Sequence, residues 1–382
     1  MASVTPAPAA PHTVVVVDDS AVQRRFLRSA IETGGEFVVV GEARNGKEAV
    51  ALVARLSPAA VVMDLDLPVM GGVEAIERIM ATHATPILVC SGYVQGRDSE
   101  NAVAALASGA VDVMAKPGPS DGVDLGDYAL ALRKRLRVVV RIRVITHPRA
   151  RLRAGSPALL LPPAAESEVT DRPTRLLAPT VQPREGIRLV VIGASTGGPQ
   201  ALMTVLTALP PSTSCAVLVV QHMAEGFIAG LASWLDQAVP LPVLVGESGR
   251  RLEPGTVTIA PSGGNLLVQD DRLRTLIAPP DPGQFHVPGI DATMLSVAQA
   301  LGPDAIGVLL TGMGRDGAAG LLAMRERGAL TLGQDEATSA VYGMPAAAAA
   351  LGAIERQLPI EAIGAALGAA LALPGGTPAS VR

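Results

Sequence analysis

Aromatic side chains are scarce: Phe, Tyr and Trp make up 2% of the 382 residues, so the core must be filled by Val, Leu, Ile and Ala rather than by stacked rings. Cysteine is nearly absent. Cys90 and Cys215 are the only two, one in each half and each inside an apolar run, which excludes a disulfide framework and fits a reducing compartment. Both are expected to be small buried hydrophobes. Charge of one sign is also lacking: the formal net charge is -4, too balanced for a nucleic-acid footprint, the short basic run at 133–143 notwithstanding. No apolar stretch reaches the ~18 residues that a membrane span needs. The opening MASVTPAPAAPHT has neither a basic n-region nor a long apolar h-region, so no secretory leader is expected. These absences predict a cytoplasmic protein with no nucleic-acid partner and no membrane insertion.

Hydrophobic residues at 49% and charged residues at 17% are those of a globular chain. Its length exceeds the size at which single cores stop growing, so two domains are expected. Over 13–144 short buried-type strands alternate with helical segments (TVVVVDD, SAVQRRFLRSAIET, FVVVGEA, NGKEAVALVARL and onward). Five such units predict an α/β domain with a doubly wound parallel sheet. From 145 to 186 the composition shifts to Pro, Arg, Ser, Thr and Glu with no sustained period, as in a linker. A second alternating series fills 187–372 and predicts a second parallel sheet. It includes a hairpin expected around 256–278, where TVTIA, NLLVQDD and RLRTLIA are separated by turn residues.

In the first half Asp18 and Asp19 follow the strand VVVV, and Asp64 follows VVM. In a parallel sheet those are the carboxyl ends of strands, where functional loops lie. Three converging carboxylates need a hard cation, and oxygen ligands suit Mg²⁺. Ser91 after PILVC and Lys116 after VDVMA reach the same edge, and together the five suit an aspartyl-phosphate site. Singly each has a plainer reading: Asp18 or Asp19 as the N-cap of the helix at 20–32, Lys116 before Pro117 as a solvated turn. The five together, as DD, D-x-x-x-P, S and K-P, resemble the receiver domain of two-component response regulators. That resemblance implies a flavodoxin-like fold, Asp64 as phospho-acceptor, and Mg²⁺ held by Asp18, Asp19 and Asp64 with the backbone carbonyl of Asp66. It implies Ser91 and Lys116 as the phosphoryl-sensing pair and a histidine kinase as phosphodonor. Two departures bear on the output switch: Met70-Gly71-Gly72, where an Asp usually precedes the last Gly, and Val113 at the place of a common aromatic.

In the second half VVIGASTGGPQ places a glycine-rich turn after an apolar run. A Walker A loop fails because Pro199 stands where its lysine must be, and a Rossmann fingerprint fails because position 195 is Ser. G-x-S-x-G at 193–197 does fit a nucleophile elbow between strand and helix. Of the five histidines, His12, His83, His147, His222 and His286, His222 ends the next strand, CAVLVVQ. Asp316 in LLTGMGRDG ends a third, so Ser195, His222 and Asp316 form a candidate triad whose chain order matches none of the familiar hydrolase orders. The stretches IGASTGGP, VVQHM, PGTVTIAP, LLTGMGRDGAAGLLAMRERGA and QDEATSAVYGMP closely resemble the catalytic domain of chemotaxis protein-glutamate methylesterases. The resemblance implies a Rossmann-like domain with Ser195 as nucleophile, His222 as general base, Asp316 as its orienter and the backbone amides of Thr196 and Met313 as oxyanion donors. No cofactor is implied for this domain. It further implies a phosphorylation-regulated hydrolase that demethylates glutamate methyl esters and deamidates certain glutamines on the cytoplasmic helices of methyl-accepting receptors. Gly289 in HVPGID departs from the family's usual Ser, and His286 is either a substrate-side residue or a satisfied loop histidine. The rival reading is a non-enzymatic phospho-switch whose second domain binds a partner, against which the intact triad and TGMG loop speak.

Overall fold

The computed structural model describes residues 10–92, 97–117, 124–142, 144, 182–284 and 286–372. The chain divides into two compact units, Met1–Ser156 and Pro157–Arg382. Of the stretch 145–186 read as a linker, 145–181 lies outside the described residues.

The first unit runs β1 (His12–Val17), α1 (Ala21–Glu32), β2 (Phe37–Ala43), α2 (Gly46–Leu56), β3 (Ala60–Met63), α3 (Gly72–Thr82), β4 (Ile87–Ser91), α4 (Arg97–Ala107), β5 (Asp112–Ala115) and α5 (Leu125–Val139). Its five strands lie in the order β2-β1-β3-β4-β5, every pairing parallel. A strand covered by helices on both faces must be apolar throughout, and Val14–Val17 and Ala60–Met63 are buried without alternation. The chain leaves β1 to one side for β2 and to the other for β3, so a crevice opens at the carboxyl ends of β1 and β3. Ser20, rather than either aspartate before it, caps α1 by accepting from the Gln23 amide. Asn45 caps α2 through the Glu48 amide, while the Glu48 carboxylate returns to the Arg44 amide.

The second unit runs β6 (Leu189–Ala194), α6 (Gly198–Thr207), β7 (Ala216–Gln221), α7 (Ile228–Ala238), β8 (Val243–Val245), β9 (Val257–Ile259), β10 (Asn265–Val268), β11 (Thr275–Ala278) and α8 (Ile290–Leu301). It continues with β12 (Ala305–Leu309), α9 (Ala318–Glu326), β13 (Leu330–Gln334), α10 (Met344–Ala350), β14 (Arg356–Leu358) and α11 (Ile360–Leu371). Seven strands form one parallel sheet, β14-β13-β12-β6-β7-β9-β8. The expected hairpin is smaller than the sequence suggested. TVTIA supplies β9, which pairs parallel with β7 and β8, and only β10 and β11 turn back antiparallel on each other. The reason is burial: Val257, Thr258 and Ile259 are covered on both faces and need the sheet interior, whereas β11 leaves three of its four residues partly open.

Both cysteines are buried free thiols, as expected. Burial pushes Cys90 up to about 12 and Cys215 to about 11, so neither supplies a thiolate.

Candidate functional site

Two sites occupy the carboxyl edges of the two sheets. In the first unit β1 delivers Asp18 and Asp19, β3 delivers Asp64, β4 ends in Ser91 and β5 leads into Lys116. Carboxylate oxygens of Asp18, Asp19 and Asp64 all lie within 4.8 Å of one another. The Lys116 Nζ sits 2.7 Å from Asp18 Oδ2 and 2.7 Å from Asp64 Oδ2. Burial would lower the pKa of Lys116, but the two carboxylates override it and hold the ammonium charged. For Asp64 burial wins instead, raising its pKa against the pull of Lys116. One ammonium against three carboxylates leaves the pocket anionic. Asp18 Oδ2, buried, has only the ion contact with Lys116 and no properly directed hydrogen bond. Unspent acceptor capacity in an oxygen-only cluster is what a hard divalent cation requires, so the donor set fits Mg²⁺.

Two supports escaped the sequence reading. Arg24 Nη1 donates to the backbone carbonyls of Asp18 (2.7 Å) and Asp19 (3.0 Å), pinning the acidic turn from one helical turn into α1. Gly72 is needed because a Cβ there would come within 2.3 Å of the Asp64 carbonyl. Val113 is a buried aliphatic in β5.

In the second unit the register Ala194↔Gln221 sets Ser195 and His222 one step beyond the last paired residues of adjacent strands. The Ser195 amide donates to the Thr311 carbonyl at 3.0 Å, which joins the strand-end loop after β12. Ser195 lies in a tight turn between β6 and α6, closed by the Gly198 amide on the Ser195 carbonyl at 2.7 Å, with Gly197 at φ 75. That left-handed backbone lets the chain reverse into the helix and presents the hydroxyl at the sheet edge.

Asp316 Oδ2 lies 2.8 Å from His222 Nε2. The same oxygen accepts from the Ile290 amide (2.8 Å), and Oδ1 accepts from Asp291 (2.9 Å) and Gly317 (3.0 Å). The Ile290 and Asp291 amides open α8, so the carboxylate sits on a helix N-terminus. Burial opposes its charge, yet the His222 hydrogen bond and the α8 amides hold the pKa down at about 2. With Asp316 ionised, Nε2 carries the imidazole proton, and Nδ1 is the basic nitrogen. Nδ1 is buried and has no hydrogen-bond partner among the described residues.

Asp291, Gln221, Thr311 and Asn265 were not found from the sequence. Asp291 Oδ1 accepts from the Gly320 amide at 2.7 Å in the first turn of α9, while Asp316, just before α9, caps α8. The two helices thus exchange carboxylate caps, and burial raises the Asp291 pKa. Gln221 Nε2 donates to the carbonyls of both Ser195 and His222 at 2.9 Å. Thr311 Oγ1 donates to the Thr196 carbonyl at 3.0 Å and accepts from the Val341 amide at 2.9 Å, tying the Ser195 turn to the loop before α10. For Gln221, Thr311 and Asn265 the only sequence signal was position, a polar residue at or just beyond a buried strand end, and for Asp291 an acidic residue in the first turn of a helix. Gly312 leaves no room for a side chain: a Cβ there would lie 2.7 Å from Ser195 Cβ and 2.3 Å from Met344 Sδ. Gly312→Ala should therefore displace Ser195 and slow its labelling by a small serine-directed reagent by about a hundredfold. Labelling at the wild-type rate would remove this packing constraint.

Comparison with known proteins finds a match for each unit. Residues 190–367 match the family model described as CheB methylesterase, and residues 14–124 match that of the response regulator receiver domain. The chain is 42% identical over 355 residues to protein-glutamate methylesterase/protein-glutamine glutaminase 3 of Paramagnetospirillum magneticum, covering 93% of this chain and 95% of that one. It is 41% identical over 358 residues to protein-glutamate methylesterase/protein-glutamine glutaminase 2 of Anaeromyxobacter dehalogenans, with 94% and 96% covered. The solved CheB methylesterase catalytic domain of Thermotoga maritima aligns at 33% identity and a TM-score of 0.46, covering 47% of this chain and 97% of that domain. Since relatives above 40% identity span both units and the stretch between them, the chain belongs to the protein-glutamate methylesterase/protein-glutamine glutaminase family of response regulators.

Proposed function

We propose that this chain is a phosphorylation-regulated serine hydrolase that removes methyl groups from glutamate γ-methyl esters, and deamidates certain glutamines, on the cytoplasmic helices of methyl-accepting receptors. The observation that carries the reading is the juxtaposition at one sheet edge of Ser195, in its strand-to-helix turn, with the His222–Asp316 pair. Ser195 Oγ attacks the ester carbonyl as its proton passes to His222 Nδ1, and the imidazolium that forms is stabilised by Asp316. The Thr196 and Met313 amides hold the tetrahedral oxyanion. Collapse expels methanol, which takes the proton from His222. Water, deprotonated in turn by His222, then resolves the acyl-enzyme to the free glutamate and Ser195. With glutamine the leaving group is ammonia.

Asp64 accepts the phosphoryl group from a histidine kinase of the same pathway, and Ser91 and Lys116 bind its oxygens. Asp18, Asp19, Asp64 and the Asp66 carbonyl would hold Mg²⁺, which supplies charge neutralisation for the phosphoryl oxygens when bound. The domain limits supporting this are 13–144 for the receiver and 187–372 for the hydrolase, joined by 145–186. Among the described residues no helix is long and apolar enough to cross a membrane, in keeping with a cytoplasmic enzyme acting on receptor helices.

Methanol release from methylated receptor membranes tests the hydrolase, and its absence from the phosphodonor-treated full chain would refute the assignment. Labelling by an active-site-directed serine reagent separates the rival, a partner-binding phospho-switch: reagent incorporated at Ser195 argues for the enzyme, and none argues for the switch. In the receiver, beryllofluoride is expected to bind only with Mg²⁺ present and Asp64 intact. Binding by an Asp64→Ala chain, or binding in excess chelator, would count against the phospho-acceptor.

A further inference from the structure

The rings of His222 and His286 are stacked, centroids 4.5 Å apart and planes inclined by only 13°. His222 is held at one edge by a single hydrogen bond, Nε2 to Asp316. One such bond leaves the ring free to swing about it, and a swing moves Nδ1, the nitrogen that must meet the Ser195 hydroxyl. A flat partner against one face removes that freedom.

The segment that carries His286 is itself braced. Gln284 Nε2 donates to the His286 carbonyl and to Asn265 Oδ1, Asn265 Nδ2 donates back to Gln284 Oε1 at 2.9 Å, and the Gly289 amide donates to Asn265 Oδ1 at 2.7 Å. Asn265 is buried at the start of β10. Asn265, on the small antiparallel hairpin, thus anchors Gln284 and Gly289 on either side of His286. His286 is solvent-exposed on its outer side, and so stands between the buried base and water.

We propose that His286 is a positioning residue for the hydrolytic reaction, its braced ring forming the wall that fixes the orientation of the His222 imidazole toward Ser195. The inference rests on the serine-hydrolase reading but makes a different demand on experiment, because it needs a flat ring at position 286 and no contact with the receptor. The role proposed belongs to the flat face of the ring. A ring without nitrogen should therefore substitute for it.

The test uses the full-length chain with His286→Ala and His286→Phe. His286→Ala should lower kcat for methanol release by about ten- to a hundredfold with KM unchanged. It should slow labelling of Ser195 by a small serine-directed reagent to a similar extent. His286→Phe should restore both to within about threefold of wild type. Because the labelling reaction needs no receptor, it reads His222 placement even if the natural ester were of another kind. A raised KM in His286→Ala with normal serine labelling would make His286 a substrate contact and overturn the proposal. So would full activity in His286→Ala, or a His286→Phe chain as slow as His286→Ala. Failure of wild type to release methanol while Ser195 still labels with this same ring dependence would sink the receptor-ester reading and leave the positioning role standing.

Discussion

Ser195→Ala is expected to lower kcat for methanol release by about five to six orders of magnitude, with thermal stability unchanged. The loss is large because the variant removes the attacking oxygen at the strand end next to that of His222, so neither His222 nor the amides around the oxyanion have an atom to serve. Stability is spared because the crowding around position 195 involves its Cβ, which lies 2.7 Å from where a Gly312 Cβ would be, and alanine keeps that atom. Retention of more than about 1% of wild-type activity would mean that another residue is the nucleophile. A fall in melting temperature with partial activity would instead mean that the hydroxyl is structural.

Asp316→Asn is expected to lower kcat by about three to four orders of magnitude and, unlike the serine change, to lower stability too. The carboxylate receives four donors, with His222 and Ile290 on Oδ2 and Asp291 and Gly317 on Oδ1. An amide can offer only one oxygen, so whichever way it is turned its NH₂ faces two N–H groups. Placed toward His222, that NH₂ forces the ring into the other tautomer, and the proton moves to Nδ1, where the base is needed. Placed toward Asp291 and Gly317, it uncaps α8 and lifts the turn. Retained activity in Asp316→Asn would remove the orienting role.

The depressed pKa of Asp316 gives this prediction a pH signature. A carboxylate held at about 2 in the folded state, against an ordinary value near 4, contributes stability that is complete above the ordinary value and is lost as pH falls toward 2. Acid unfolding of the wild-type chain should therefore steepen over that interval, and the Asn variant should lose this component. Urea midpoints measured between pH 5 and pH 2.5 would decide it.

Much of this was legible in sequence because parallel sheets write themselves plainly. Val14–Val17 and Ala60–Met63 read as apolar runs because helices cover both faces, and the reactive residues follow such runs because the crevice lies at strand ends. The hairpin is present, and only the place of TVTIA was misjudged, for the same reason. TVTIA and NLLVQ are equally apolar over a few residues, and only the neighbours available to pair decide whether such a run joins the parallel sheet as β9 does or turns back as β10 does.

Sequence alone thus determined the fold class, the two alternating series, the acidic cluster with Lys116, and the position of Ser195, His222 and Asp316 at strand ends as candidates. These depend on residue type and on local position at a strand end. Only the tertiary structure decided which imidazole nitrogen faces Asp316, that Asp316 and Asp291 cap each other's helices, that Gln221 joins the carbonyls of Ser195 and His222, and that His286 lies flat on the base. Each of these is a contact between segments far apart in the chain, made by side chains whose spacing carries no period. Such contacts exist only once the packed sheet has set the distances between strand ends.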